Sequence, residues 1–121
     1  SKSAVVRMSE TFAKEMIINK KKIYINTLAP GALNTKMLTE FLDAGIKKIG
    51  KENFKKAKIQ LKGGGDSLSD PVNLCRLFIE NDSFGITGKL ISAKWDKWQK
   101  FNHKQAAKIN NSEKYTLIRK I

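Results

Sequence analysis

Ile23-Tyr24-Ile25-Asn26-Thr27-Leu28-Ala29-Pro30-Gly31-Ala32-Leu33-Asn34-Thr35 is the stretch on which the reading of this chain turns. β-branched and aromatic residues dominate its first half, so residues 23–29 predict a strand. Pro30-Gly31 then stops it, because proline lacks an amide donor and glycine reaches backbone angles closed to other residues. The loop from Ala32 to Thr35 leads out of that turn.

Upstream, Val5, Met8, Phe12 and Met16 recur at spacings of three and four, which predicts a helix over residues 2–19. Ala4, Ala13 and Ile17 widen its apolar face, while Arg7, Glu10, Lys14 and Glu15 fall mostly off it. Lys20-Lys21-Lys22 suits the negative end of its dipole. Downstream, Leu38, Phe41, Leu42 and Ile46 predict an amphipathic segment over residues 37–49, weakened by Gly45 and Gly50. A short helix follows over residues 51–60, and Gly63-Gly64-Gly65 is a flexible break. Ser69-Asp70-Pro71 is a helix start, a capping side chain followed by proline in the first turn. That helix runs to about Asn81, with Leu74, Leu77 and Phe78 buried and Val72 a further candidate. Residues 89–95 predict a second strand, and residues 97–121 read as a basic polar tail of low periodicity, Tyr115 to Ile118 apart. Two strands joined through a crossover helix should run parallel. With so few strands, one strand edge should be left without a neighbour.

Composition narrows the function classes. The 121 residues make one domain or part of one. The sequence has no apolar run near the roughly 20 residues of a membrane span, and Ser1 to Glu10 lacks a signal-peptide core. The expectation is a soluble, cytoplasmic chain with no membrane partner. Serine in first place, and an opening that already reads as mid-helix, suggest a processed, engineered or partial chain. Cys75 is the one cysteine, so an internal disulfide is excluded, and its apolar helical setting predicts core packing. His103 is the one histidine and lies in the polar tail, so no metal site is expected. The net charge of +13 raises the question of nucleic acid. The lysines are dispersed, arginine appears only as Arg7, Arg76 and Arg119, and no nucleic-acid motif is visible. They therefore read as a solvated surface, and nucleic acid is not an expected partner; a small basic module binding RNA or another polyanion is the alternative.

Three stretches, in order, resemble the short-chain dehydrogenase/reductase family. Ser1-Lys2-Ser3-Ala4-Val5-Val6 is similar to the end of its Tyr-x-x-x-Lys motif. Ile23 to Thr35 resembles its sixth strand and Pro-Gly turn, with a threonine four residues after the glycine. Leu68-Ser69-Asp70-Pro71 through Ile86-Thr87-Gly88-Lys89-Leu90-Ile91 resembles its last crossover helix, Ile-Thr-Gly turn and seventh strand. The chain departs from many relatives at Trp95-Asp96-Lys97-Trp98, where a Gly-Gly pair is common. Those two tryptophans could line a pocket or a subunit interface, or anchor packing, the commoner role for aromatics of that size.

The resemblance implies an α/β fold: the incomplete C-terminal part of a Rossmann-type, doubly wound parallel-sheet domain over residues 1–96, with residues 36–68 as a substrate-lid insert and 97–121 as the tail. It implies an NAD(P)-dependent oxidoreductase, moving hydride between NAD or NADP and a carbonyl or alcohol carbon of a small molecule. The intact parent would be a homo-oligomer, and this fragment would be inactive alone or act as a dimerisation partner of a full-length relative. The resemblance places the phosphate-binding glycine loop, the catalytic serine and the catalytic tyrosine before Ser1. Lys2 then matches the catalytic lysine, which lowers the pKa of a tyrosine four residues earlier on the same helix and hydrogen-bonds the nicotinamide ribose. Pro30 and Gly31 would let the backbone approach the cofactor. The Leu33 backbone would meet the nicotinamide carboxamide, with the Thr35 hydroxyl assisting. Met37, Leu38, Phe41 and Leu42 would cover the substrate, or serve plain helix packing.

Overall fold

The computed structural model describes residues 1–118, so Arg119, Lys120 and Ile121 at the end of the expected basic tail lie outside the described residues. Two compact units emerge: residues 1–30 with 69–121, and residues 31–68.

In the first unit, α1 (Lys2–Ile18) opens the chain. Its apolar periodicity is real, yet the stripe of Val5, Met8 and Phe12 is exposed, and the buried positions are Val6 and Ala13. The reason is close approach. A Cβ at Gly88 would sit 3.4 Å from that of Ala13, so the helix meets the core through its small side chain rather than its large ones. The strand predicted over residues 23–29 shortens to β1 (Thr27–Ala29). Ahead of it the chain is anchored largely through side chains. Ile25 N donates to Thr87 Oγ1, Asn26 Nδ2 donates to Ile86 O, and Lys89 N donates to Asn26 Oδ1. Gly88 N adds a backbone bond to Ile25 O.

Helix α5 (Ser69–Glu80) starts at the Ser-Asp-Pro signal. It turns Leu74 fully inward and leaves Leu77 and Phe78 partly buried against the core. Val72, Cys75 and Ile79 lie on its outer side, which corrects the expectation that Cys75 packs in the core: its thiol is exposed. Positions 72, 75 and 79 share one helical face, and the inward face belongs to 74, 77 and 78. β2 (Leu90–Ser92) runs parallel to β1 with Thr27 opposite Leu90, Leu28 opposite Ile91 and Ala29 opposite Ser92. Among the described residues β1 has β2 as its one neighbouring strand. The far edge of β2 receives the tail, where Leu90 N donates to Tyr115 O at 2.7 Å.

The tail contains a helix that periodicity did not signal, α6 (His103–Asn110), capped by the Asn102 side chain accepting from Gln105 N. Ala106 and Ile109 of α6 complete a core with Leu74, Phe84, Ile86, Ile91, Ala93, Trp98 and Phe101. Between α5 and β2 the backbone at Asp82, Ser83 and Phe84 is left-handed, with φ of 49°, 53° and 54°. Non-glycine residues resist this by about 1–2 kcal/mol each. Two features offset it. The buried Phe84 ring sits edge-on to Phe78 and His103, and Asn110 clamps the turn, donating to Gly85 O and accepting from Thr87 N.

The second unit is helical. α2 (Lys36–Asp43), α3 (Ile46–Ile49) and α4 (Lys51–Lys62) follow one another, and the amphipathic segment predicted over 37–49 breaks at Gly45. Gly45 takes a φ of 80°, which an α-helix cannot continue through.

These elements overturn the expected fold class. The described residues are 58% helix and 5% strand, with a single two-stranded parallel sheet, so the chain is not a Rossmann-type doubly wound domain. Such a domain needs a broad parallel sheet covered by helices on both faces. Here Ile23 to Asn26 is tied down largely through side-chain bonds and lies outside the ladder, so each strand keeps three residues.

Candidate functional site

The positions singled out by sequence divide between the two units. Lys2 and Pro30 lie in the first. Lys2 is exposed in the first turn of α1, and Pro30 is exposed at the carboxyl end of β1. Gly31, Leu33, Thr35, Met37, Leu38 and Phe41 lie in the second.

Within the second unit, residues 31–35 form a loop held at several points. Gly31 takes a φ of 99°, and a Cβ there would lie 2.8 Å from Asp66 Oδ2. Glycine is favoured by the backbone angle, and a larger residue would also push the Asp66 carboxylate aside. Asp66 brackets Ala32. Its Oδ2 accepts from Ala32 N at 2.7 Å, and its own N donates to Ala32 O at 2.8 Å. Gly65, with φ of 67°, passes so close that a Cβ there would meet Ala32 O and Asn34 Oδ1, both at 2.8 Å. Leu33 N donates to Gly31 O at 3.2 Å, and Leu33 O accepts from Gln60 Nε2 at 3.1 Å. Asn34 Nδ2 reaches Leu61 O at 3.4 Å. The loop therefore rests on the last turn of α4 and on the Gly-Gly-Gly-Asp segment after it.

Thr35 is the N-cap residue of α2, in extended backbone, and Leu38 N and Thr39 N both donate to Thr35 O. Its side chain makes no capping bond. Of the lid candidates, Met37 is well exposed, Phe41 is exposed and Leu38 is half-buried. α2 packs against α4 within this unit. Gln60 and Asp66 escaped the sequence reading. The signal that could have found them is the triple glycine, because a flexible segment ending in a carboxylate is suited to close on neighbouring backbone amides.

Two of the first unit's concavities lie against α1 and β1. One, of about 510 Å³, is lined by residues that include Arg7, Glu10, Lys14, Lys89 and Asn110. Arg7 pairs with Glu10 at 2.7 Å and also donates to Leu117 O, while the buried Lys89 Nζ donates to Ser112 O at 2.7 Å. Burial lowers the Lys89 pKa, with Glu10 opposing. Burial likewise raises the Tyr115 pKa, helped by Asp96. The other, of about 220 Å³, is a mainly apolar cleft beside β1 with Tyr24, Leu28, Leu74 and Phe78 in its wall. Among the described residues no three His, Cys, Asp or Glu side chains gather as a metal site would require, and no helix is long and apolar enough to cross a membrane.

Neither family models, curated proteins nor solved structures give a match to this chain.

Proposed function

We propose that this chain supplies the nicotinamide-facing loop of an NAD(P)-dependent oxidoreductase of the short-chain dehydrogenase/reductase type. The observation that carries the reading is the direction of β1. It pairs parallel with β2, and Pro30-Gly31 follows at its carboxyl end. In open α/β sheets ligands sit outside that end, and the reading carries that rule over to this two-stranded sheet. A hairpin arm would have removed this support. The left-handed Gly31 and the Ala32–Asp66 bracket give the loop after it a fixed backbone, as preorganised recognition of a planar amide requires.

In that reading Pro30 and Gly31 would let the chain approach the cofactor, and the Leu33 backbone would hold the nicotinamide carboxamide. The Thr35 hydroxyl, unused in capping α2, assists as a donor or acceptor. Lys2 would hold the nicotinamide ribose and would lower the pKa of a tyrosine that the reading places ahead of Ser1, along with the glycine-rich phosphate loop and the catalytic serine. The coenzyme supplies the hydride chemistry. Met37, Leu38 and Phe41 give an apolar surface suited to a small carbonyl or alcohol substrate. The protein is proposed to act in the cytoplasm as a homo-oligomer.

The test is a hydride-transfer assay. A polypeptide in which this sequence follows such an upstream segment is supplied with NADH or NADPH and a panel of aldehydes and ketones. Coenzyme oxidation that depends on the carbonyl compound is expected. Failure with both coenzymes across the panel, in a folded protein, contradicts the reading.

A further inference from the structure

We propose that a concavity beside α6 binds a small anion carrying two phosphate groups, held by the ammoniums of Lys97, Lys100, Lys108 and Lys114. The site is independent of the cofactor reading. Its residues are others, and the family resemblance assigns them no role.

In the sequence these lysines look like part of a dispersed, solvated tail. Folding gathers them. Lys97 and Lys100 bracket the 3-10 turn at Trp98–Lys100, which Trp98 anchors by donating from Nε1 to Ala93 O at 2.9 Å. Lys108 comes from the last turn of α6. Lys114 is brought back from the tail through Tyr115, whose φ of 60° is an angle that non-glycine residues resist. Tyr115 is held there from two sides. Its carbonyl accepts from Leu90 N at 2.7 Å, and its ring meets Phe101 edge-on with 5.6 Å between centres. With Phe101 and Tyr115, the four lysines line a cavity of about 310 Å³.

The charges in that wall have one sign. Among the described residues no aspartate or glutamate lines it. Two acidic residues close by in sequence are engaged elsewhere. Asp96 Oδ2 accepts from Ser92 N at 2.7 Å, and Glu113 lines the 510 Å³ concavity against α1. Ion pairs in the helices join a cation to an acid three or four residues away, as in Arg7–Glu10, Lys36–Glu40, Lys56–Glu52 and Arg76–Glu80. Lys97, Lys100, Lys108 and Lys114 have no such pair among the described residues. Like charges gathered in this way repel one another, and a multivalent anion relieves the repulsion. One phosphate group carries about −1.5 to −2 near neutral pH, so two of them balance four ammoniums. Lysine serves phosphate as a point charge and needs no bidentate geometry. The end of α6 does not face such a ligand with open carbonyls: Ala107 O accepts from Asn111 N, and Ile109 O accepts from Ser112 N.

The test titrates inorganic diphosphate into the isotopically labelled chain at fixed ionic strength and follows the Lys108 and Tyr115 amides by NMR. Both amides should move, and inorganic phosphate, with fewer charges, should bind more weakly. The quadruple variant Lys97→Gln, Lys100→Gln, Lys108→Gln, Lys114→Gln should weaken diphosphate by about tenfold or more, since each exposed ion pair contributes up to about fivefold. All four side chains are exposed, so the variant should keep the native urea midpoint. A second variant, Lys51→Gln, Lys55→Gln, Lys58→Gln, Lys62→Gln, removes the same charge from α4 in the other unit and should bind diphosphate about as the native chain does. Equal weakening in both variants would show that overall charge attracts the anion, and would overturn the site. Phosphate bound as tightly as diphosphate would overturn the choice of a ligand with two phosphate groups. Diphosphate that moves neither amide at millimolar concentration would overturn the proposal outright.

Discussion

Trp98→Ala should destabilise the first unit by about 3–5 kcal/mol, the range for truncating a large buried aromatic. Trp98 is 5% exposed within the main core, and its Nε1 donates to Ala93 O at 2.9 Å. Truncation opens a cavity and also strands that carbonyl. Domains of this size are stable by only about 5–15 kcal/mol, so the change threatens the fold. Trp95 is the control, three residues away. That residue is 78% exposed, with the Lys94 ammonium 4.8 Å from the ring centre. Contacts of that kind contribute about 0.5–1 kcal/mol at exposed sites, so Trp95→Ala should leave the urea midpoint nearly unchanged. Similar midpoints for the two variants would contradict the placement of these rings.

The second large effect concerns chemistry. In an active polypeptide carrying this sequence behind the required tyrosine, Lys2→Ala should lower kcat by about a hundredfold or more, as expected when an acid/base group loses its tuning. An unperturbed tyrosine has a pKa of about 10, and a neighbouring ammonium favours its phenolate. Removing that ammonium should shift the pH profile upward as well as lowering it. The exposed position of Lys2 in the first turn of α1 separates this from a folding effect, because nothing in the core rests on its side chain. Turnover that stays the same, with the same pH profile, would remove Lys2 from the site.

Much of the secondary structure was legible because its signals are local. Ser69-Asp70-Pro71 starts α5, and the 3–4 spacing from Val5 to Met16 gives α1. Parallel pairing followed from two short strands with a helix between them. Which face turns inward was not legible. The large residues of α1 point out because Ala13 meets the turn at Gly88, a contact set by a residue 75 positions away. Cys75 was misplaced for a related reason: an apolar heptapeptide does not reveal which of its two sides meets the core. α6 was missed because its interior is polar apart from Ala106, Ala107 and Ile109, and its cap at Asn102 lies in a lysine-rich stretch. Two strands were read and two are present, each cut to three residues; the Rossmann-type class was overturned because a two-stranded sheet in a mostly helical chain is not a doubly wound domain.

At the candidate site, sequence identified the loop but not its attachments. Gly31 and Leu33 were chosen by motif. Gln60, which bonds Leu33, comes from 27 positions further on, and Asp66, which bonds Ala32 between them, from 34 positions further on; neither carries a motif of its own. Long-range hydrogen bonds from side chain to backbone leave almost no trace in one sequence.

The most direct measurement is a set of NMR cross-relaxation spectra on the active polypeptide saturated with NADH or NADPH. Magnetisation should pass from the nicotinamide ring protons to the Leu33 amide and the Thr35 methyl group. A bound coenzyme whose ring protons relax only into residues outside 30–35 would contradict the assignment of this turn.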